Sequence, residues 1–309
     1  MLPLFGRVLG RRSIHAKNSI VSVEEYLKDP VKIIVLPITR DKSFVYFKHT
    51  EEVKNKQSRI IKYENWLNVK AGNYWLKLNN SPKSYNKKIV RWVNFFLDKI
   101  PWQEHSLRSI PRENYILKRI KYNTGQEKLM TNNKYIQESL KNSMKVTPIN
   151  IYYPNELMNA NQVKEQLNRL IVRGTKYHLR YIFYCILGIQ FTLPIVLVPI
   201  VPNIPGFYLA YRAYCNFQAY LGAKHIGTLL NDPINGTSNV QVSFKGINNY
   251  SKYFQTNINT KEQQINEFSH EIFLQDKDSR DQLLSFLQLP EMKKELEKAI
   301  HQETLLIKK

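Results

Sequence analysis

Most of the chain alternates short apolar runs with polar turns, and one stretch departs from that pattern. From Tyr181 to Tyr211 there is no charged residue. That run is about 31 positions, where a membrane-spanning helix needs about 20. Pro202-Asn203-Ile204-Pro205 divides it, because two prolines three apart break a helix and favour a turn. The first arm, Tyr181 to Val201, would be about 31 Å long as a helix. Pro194 and Pro199 inside it predict a kink. The second arm, Ile204 to Ala223, is less apolar and carries Arg212, Asn216, Gln218 and four tyrosines, including Tyr208.

The pattern predicts a helical membrane hairpin over 181–230, with its tip across the bilayer. Basic residues flank both ends: Lys176, His178 and Arg180 before, Lys224 and His225 after. That places both flanks on the positive side. Arg212 in the membrane would face the first arm and bond carbonyls freed by the prolines. The second arm lying along the interface is one alternative. A very apolar core hairpin of a soluble domain is another.

Ahead of the hairpin, the pattern is that of a small α+β domain over 31–180 with basic amphipathic helices. Val31 to Ile38 and Ser43 to Phe47 read as a β-hairpin, with Pro37 at an edge or a strand end. Glu51 to Tyr63 reads as helix. Lys87 to Ile100 is a basic, aromatic helix with Ile89, Trp92, Val93, Phe96 and Ile100 on one face. It is either a core helix or an interfacial helix on anionic lipid, and the core reading is preferred. Gln103 to Ile110 follows. Leu117 to Lys145 has no clear stripe and reads as loop and short helix. Ile149 to Tyr153 is a third strand, and a helix from Val163 runs into the hairpin.

The last region, 231–309, reads as a mostly helical C-terminal tail. Val240 to Phe244 is a candidate strand. Thr260-x-x-Gln263 is a capping-box pattern, and Pro290-Glu291 opens a final helix.

Charge adds a constraint. The chain has 309 residues with 46 Lys+Arg against 25 Asp+Glu, a net charge of +21. A strongly basic protein meets something anionic: phospholipid, nucleic acid or an acidic partner. Residues 1–23 hold Arg7, Arg11, Arg12 and Lys17 and no acid, the pattern of a mitochondrial presequence. Cys185 and Cys215, one in each arm, make no disulfide framework and read as small apolar fillers. No C-x-x-C or H-E-x-x-H spacing, Gly-rich phosphate loop or nucleophile elbow is present. No metal or cofactor is therefore expected, and the chain does not read as an enzyme.

Several pieces, taken in order, resemble the mitochondrial potassium/proton exchange-related family of eukaryotic inner-membrane proteins. They are KIIVLPITRDKSFVYF, KIPWQEHSLRSIP, INIYYP, a basic helix ending in KYHLR, and VPNIPGFYLAYRAY. The most specific is Pro202-Asn203-Ile204-Pro205 with Tyr208 and Arg212, preceded by His178. The resemblance covers about Val31 to Leu230. It implies the inner mitochondrial membrane and a link to potassium and proton balance. It carries over no transport residues.

A cation/proton exchanger needs a group that alternates between proton and cation, in membranes usually a carboxylate. Between Tyr181 and Asn231 there is no Asp or Glu. The chain also offers one or two helices and no repeat, where lone carriers use many. A subunit or regulator of exchange is therefore expected rather than a lone carrier. Inner-membrane lipid and other exchange components or self-association would be its partners, with K+ and H+ the ions moved and the termini facing the matrix. Glu104-His105 reads as an ordinary polar helix end. The alternative function is a membrane-tethered basic protein holding mitochondrial RNA or ribosomes, suggested by the aromatic–basic segment Lys87 to Trp102.

Overall fold

The run Val31 to Pro37 is apolar at nearly every position because it is buried on both faces. It forms strand β2 (Val31–Pro37) in a five-stranded sheet. The computed structural model describes residues 19–122, 125–144, 146–196, 203–231, 241–248, 250–254 and 272–307. β2 pairs antiparallel with β3 (Ser43–His49), with Ile33 opposite Phe47 and Val35 opposite Val45. On its other side it pairs parallel with β6 (Ile149–Pro154). β6 pairs parallel with β7 (Val242–Ile247), and β7 with β1 (Ser19–Val21). The order is β1-β7-β6-β2-β3. A separate two-stranded hairpin, β4 (Leu117–Lys121) and β5 (Glu127–Thr131), carries α5 (Asn132–Lys141) on its own small core.

Side-chain alternation along each strand builds two cores. Ile34, Leu36, Phe44, Tyr152 and Ile247 point to one face. There they meet α1 (Val23–Lys28), α8 (Lys277–Phe286) and α9 (Lys293–Ile307). Ile33, Val35, Phe47, Ile151 and Phe244 point to the other. That face is covered by α4 (Trp102–Ser109), α6 (Ala160–Val196) and α7 (Ile204–Asn231).

The architecture is thus mixed α/β, with helices on both faces of a mostly parallel sheet. This corrects the α+β expectation. The reason is β7: a strand from the region read as a helical tail inserts beside β6, and α8 and α9 cover one face. The expected leader also overlaps the fold, since Ser19–Val21 pairs with Lys245–Ile247. Residues 1–18, Pro199, Pro202 and the capping-box pattern at 260–263 lie outside the described residues.

The helical hairpin is present, but its membrane assignment is not supported. Among the described residues, no helix is long and apolar enough to cross a membrane. The first arm is the distal part of α6, which begins at Ala160. Its proximal part packs Val163 and Leu167 on the sheet. α7 starts at Ile204 as expected but continues to Asn231. Its buried face meets the sheet core through Ala219, Ala223 and Ile226. Close pairs Ile171–Gly227, His178–Asn216 and Gly188–Leu209 show the two helices running antiparallel. Pro194 sits within α6.

The remaining long helices are α2 (Arg59–Asn79) and α3 (Ser84–Asp98). α3 covers the basic aromatic segment, but it is not a core helix. Val90 is its one buried residue, and Ile61 is the one in α2.

Candidate functional site

α4 is short and polar, yet it is wedged into the protein. Its serines satisfy the outer backbone of the edge strand β3. Ser106 Oγ accepts from the Val45 amide at 2.8 Å and donates to the Val45 carbonyl at 2.9 Å. Ser109 Oγ accepts from the Phe47 amide at 3.3 Å. Covering an edge strand in this way prevents stray strand pairing. On the other side, Trp102 Nε1 donates to Glu303 of α9 at 2.8 Å, and Lys42 pairs with the same carboxylate at 2.6 Å.

With α4 fixed by β3 and α9, its third side faces α7. Gly222 allows the approach: a side chain there would collide with the Leu107 carbonyl and stand 2.8 Å from that of Ile110. Glu104 then reaches Arg212. The carboxylate is fully buried (0% exposed) and Arg212 is 8% exposed. The guanidinium donates to Oε1 at 2.6 Å and to Oε2 at 2.7 Å, a bidentate charge-assisted pair. Burial works to lower the Arg212 pKa, but the hydrogen bonds and charge of Glu104 outweigh it, and the net shift is upward.

The pair continues into a chain of hydrogen bonds across the hairpin. Asn216, one turn after Arg212, donates Nδ2–H to the Arg212 carbonyl at 2.8 Å. Its Oδ1 is then left to accept from His178 Nδ1–H of α6 at 2.8 Å. That fixes the imidazole tautomer with the Nδ1 proton toward Asn216. Burial lowers the His178 pKa, with the Asn216 bond and Glu104 opposing and Arg212 adding to the shift, so the net effect favours the neutral ring. Burial works to lower the pKa of Arg108, one turn after Glu104, but Cys215, Tyr211 and Glu104 outweigh it, and the net shift is upward. Cys185 and Cys215 are buried free thiols nearby, both with pKa raised by burial.

The other expected site residues stand apart from this chain of bonds. Asn203 is the N-cap of α7: its Oδ1 accepts from the Gly206 amide at 2.8 Å, and its Nδ2 donates to the Thr192 carbonyl of α6 at 3.0 Å. Pro205 is exposed in the first turn, where a missing amide costs nothing. Tyr208 packs its ring against Trp92 and Phe96 of α3, with centroids 6.0 and 5.8 Å apart. His225 is buried, donates Nδ1–H to the Pro111 carbonyl at 2.5 Å, and leaves Nε2 without a partner. Lys176, Arg180 and Lys224 are exposed and stand outside the cluster.

Two expectations are overturned. Arg212 does not bond carbonyls of the first arm, because a buried carboxylate from α4 meets it. Glu104 is not an ordinary polar helix end. No signal in its own segment marks it, since the polar composition of α4 reads as surface. The available clue was the pairing problem itself: an arginine in an apolar stretch demands an acid, and KIPWQEHSLRSIP carries one.

The profile of the Mitochondrial K+-H+ exchange-related family matches residues 32–230, a span that contains Glu104, His178, Arg212 and Asn216. An uncharacterized protein of Saccharomyces cerevisiae is 40% identical over 299 residues, covering 96% of this chain and 91% of the relative. An uncharacterized protein of Schizosaccharomyces pombe is 29% identical over 201 residues, covering 65% of this chain and 75% of the relative. No solved structure gives a significant match. By the extent of the profile match and of the similarity to the budding-yeast protein, the chain belongs to the mitochondrial K+-H+ exchange-related family.

Proposed function

We propose that the protein serves potassium/proton exchange at the inner mitochondrial membrane as an accessory or regulatory subunit, and does not carry the ions alone. The observation that carries this reading is the state of Glu104. It is the carboxylate that the hairpin lacks in sequence, and both its oxygens are taken by Arg212 at 2.6 and 2.7 Å. A carboxylate that exchanges proton for cation must be released at some point in the cycle. Held bidentately in a buried site, Glu104 works instead as a latch between α4 and α7.

His178 gives the latch a way to respond to protons. Its neutral ring is joined through Asn216 to the Arg212 backbone. Protonation would put a second cation beside Arg212 in a buried site, which weakens the packing of α6 on α7. The partners of such a subunit are other exchange components or further copies of the chain, with K+ and H+ the transported ions and the inner-membrane surface on the matrix side as its place of work.

The test is potassium-driven swelling and matrix pH recovery in mitochondria lacking the protein, with rescue by wild type or by Arg212→Lys, which keeps the charge and loses the bidentate fork. Loss of exchange, rescued by wild type and poorly by an Arg212→Lys protein of normal abundance, is the expected result. Unchanged swelling and pH recovery in the absence of the protein would sink the reading.

A further inference from the structure

Helices α2 and α3 are long, well formed and almost wholly solvent-exposed, which their sequence does not justify for a solvated pair. On α2, Ile60, Tyr63, Leu67 and Tyr74 recur at helical spacing along one face, and all are exposed. On α3, Tyr85, Lys88, Trp92 and Phe95 follow at i, i+3, i+7 and i+10, again exposed. Polar helices that stand off a protein do not need such a face.

The charge beside this face has one sign. Residues 59–99 hold nine lysines and arginines and two acids, Glu64 and Asp98. Glu64 is already paired with Arg112. The cations sit next to the aromatic rings: Lys70 lies 4.5 Å from the Trp66 centroid and Lys99 4.0 Å from that of Phe95. Between the end of α2 and α3 opens a groove of about 560 Å³, lined by Asn79, Lys87, Arg91, Asn94, Phe95 and Asp98 among others. The face also continues onto the hairpin. Trp92 contacts Tyr208, and the next residue back, Phe207, stands 73% exposed.

We propose that α2 and α3 form a docking module for an anionic phospholipid surface, with the aromatic–aliphatic face at the acyl boundary and Lys87 and Arg91 on headgroup phosphates. Charge complementarity selects an anionic occupant. The aliphatic residues on that face select a bilayer over a nucleic acid: Ile60 and Leu67 are both exposed. Bases stack on aromatic rings and gain little from such side chains, whereas acyl chains bury them. Tyrosine and tryptophan beside lysine is also the composition that sits at headgroup depth. The module lies on the surface and crosses nothing. It stands independently of whether the protein serves exchange.

The full chain is mixed with phosphatidylcholine vesicles, alone or with about 30 mol% phosphatidylglycerol, and binding is read by co-sedimentation. Strong, salt-sensitive binding to the anionic vesicles alone is expected. Lys87→Gln/Arg91→Gln should weaken it roughly thirty-fold. Ile60→Ser/Leu67→Ser should weaken it at least about ten-fold with only a small drop in melting temperature, because Ile60 is 60% and Leu67 38% exposed. Equal binding to neutral vesicles, or wild-type affinity in both variants, overturns the proposal. So does a mitochondrial-type RNA that displaces the vesicles and whose own binding is lost in the lysine–arginine variant and kept in the serine variant.

Discussion

Arg212 on α7 donates to both carboxylate oxygens of Glu104 on α4, across 108 positions of sequence and inside the protein. The pair joins two parts of the fold, because Glu104 belongs to the helix that covers the sheet edge and Arg212 to the hairpin that covers the sheet face. A buried ion pair is not a net gain over well-packed apolar residues, since two charges must leave water to form it. Its consequence is specificity: α4 and α7 fit together in one register, and any departure exposes a buried charge.

That asymmetry is measurable. Glu104→Leu or Arg212→Met alone leaves the partner's charge buried without compensation and should cost about 3–5 kcal/mol in urea unfolding. The combined Glu104→Leu/Arg212→Met protein removes both charges and should lie within about 1–2 kcal/mol of wild type. Additive losses in the double variant would show that the two residues do not act as a pair.

The approach of α7 to α4 depends on one missing side chain. At Gly222 a methyl group would meet the Leu107 carbonyl, which is backbone and cannot rotate away, and would stand 2.8 Å from the Ile110 carbonyl. Gly222→Ala should destabilise by about 1–3 kcal/mol through overpacking, although alanine is the better helix former. Placed in the Glu104→Leu/Arg212→Met background, the same substitution should cost less, since there is no longer an ion pair to stretch. Equal costs in both backgrounds would separate the close approach from the pair.

The parts of the fold that could be read from sequence are those whose residues decide their own environment. Val31–Pro37, Ser43–His49 and Ile149–Pro154 are strands because apolar, largely β-branched and aromatic runs of that length have few other places to go. Asn203 between two prolines announces a turn and cap whatever lies around it. The rest depends on partners. Val240 to Phe244 reads as a strand, but nothing in it says that the strand, observed at Val242–Ile247, lies parallel between β6 and β1. The β4–β5 hairpin is hidden by its lysines, because only Ile120 and Met130 are buried in it. Glu104 is the extreme case: its environment is made by Arg212, far away in sequence, so its segment reads as surface. The uncharged run is a different case: its composition matches a membrane span, yet it forms the distal arms of the hairpin with Phe183, Leu187, Phe191 and Phe207 exposed, and among the described residues no helix is long and apolar enough to cross a membrane.

Asn203 closes the hairpin by serving two helices with one side chain. Its oxygen caps α7 at the Gly206 amide, and its nitrogen holds the Thr192 carbonyl near the end of α6. Asn203→Ala should cost about 1–2 kcal/mol. Asn203→Asp keeps the cap and loses the donor to Thr192, so it should recover part of that loss. If aspartate is no better than alanine, the bond to α6 carries the whole effect and the cap none.

Acid should loosen the protein through its histidines. His49, His105, His178 and His225 all have pKa values lowered from the ordinary 6.5, in each case chiefly by burial. Below about pH 6.5 the unfolded chain binds protons at these rings before the folded chain does, so stability falls as pH falls. The contribution is fully present above 6.5 and is lost on the way down through the folded pKa values. Opposing charges do not reverse the sign. Glu295 lies 3.1 Å from His105, and Glu104 faces His178 together with Arg212, yet the net shift at both is downward. Urea midpoints taken from about pH 7.5 to about pH 5.5 should therefore decline. His178→Gln keeps a donor for Asn216 and cannot titrate, so it should flatten part of that decline while leaving the midpoint near pH 7.5 within about 1 kcal/mol. A pH profile identical to wild type in that variant would remove His178 from the acid response. It would also remove the proton-sensing role from the Glu104–Arg212 latch, while leaving the latch itself in place.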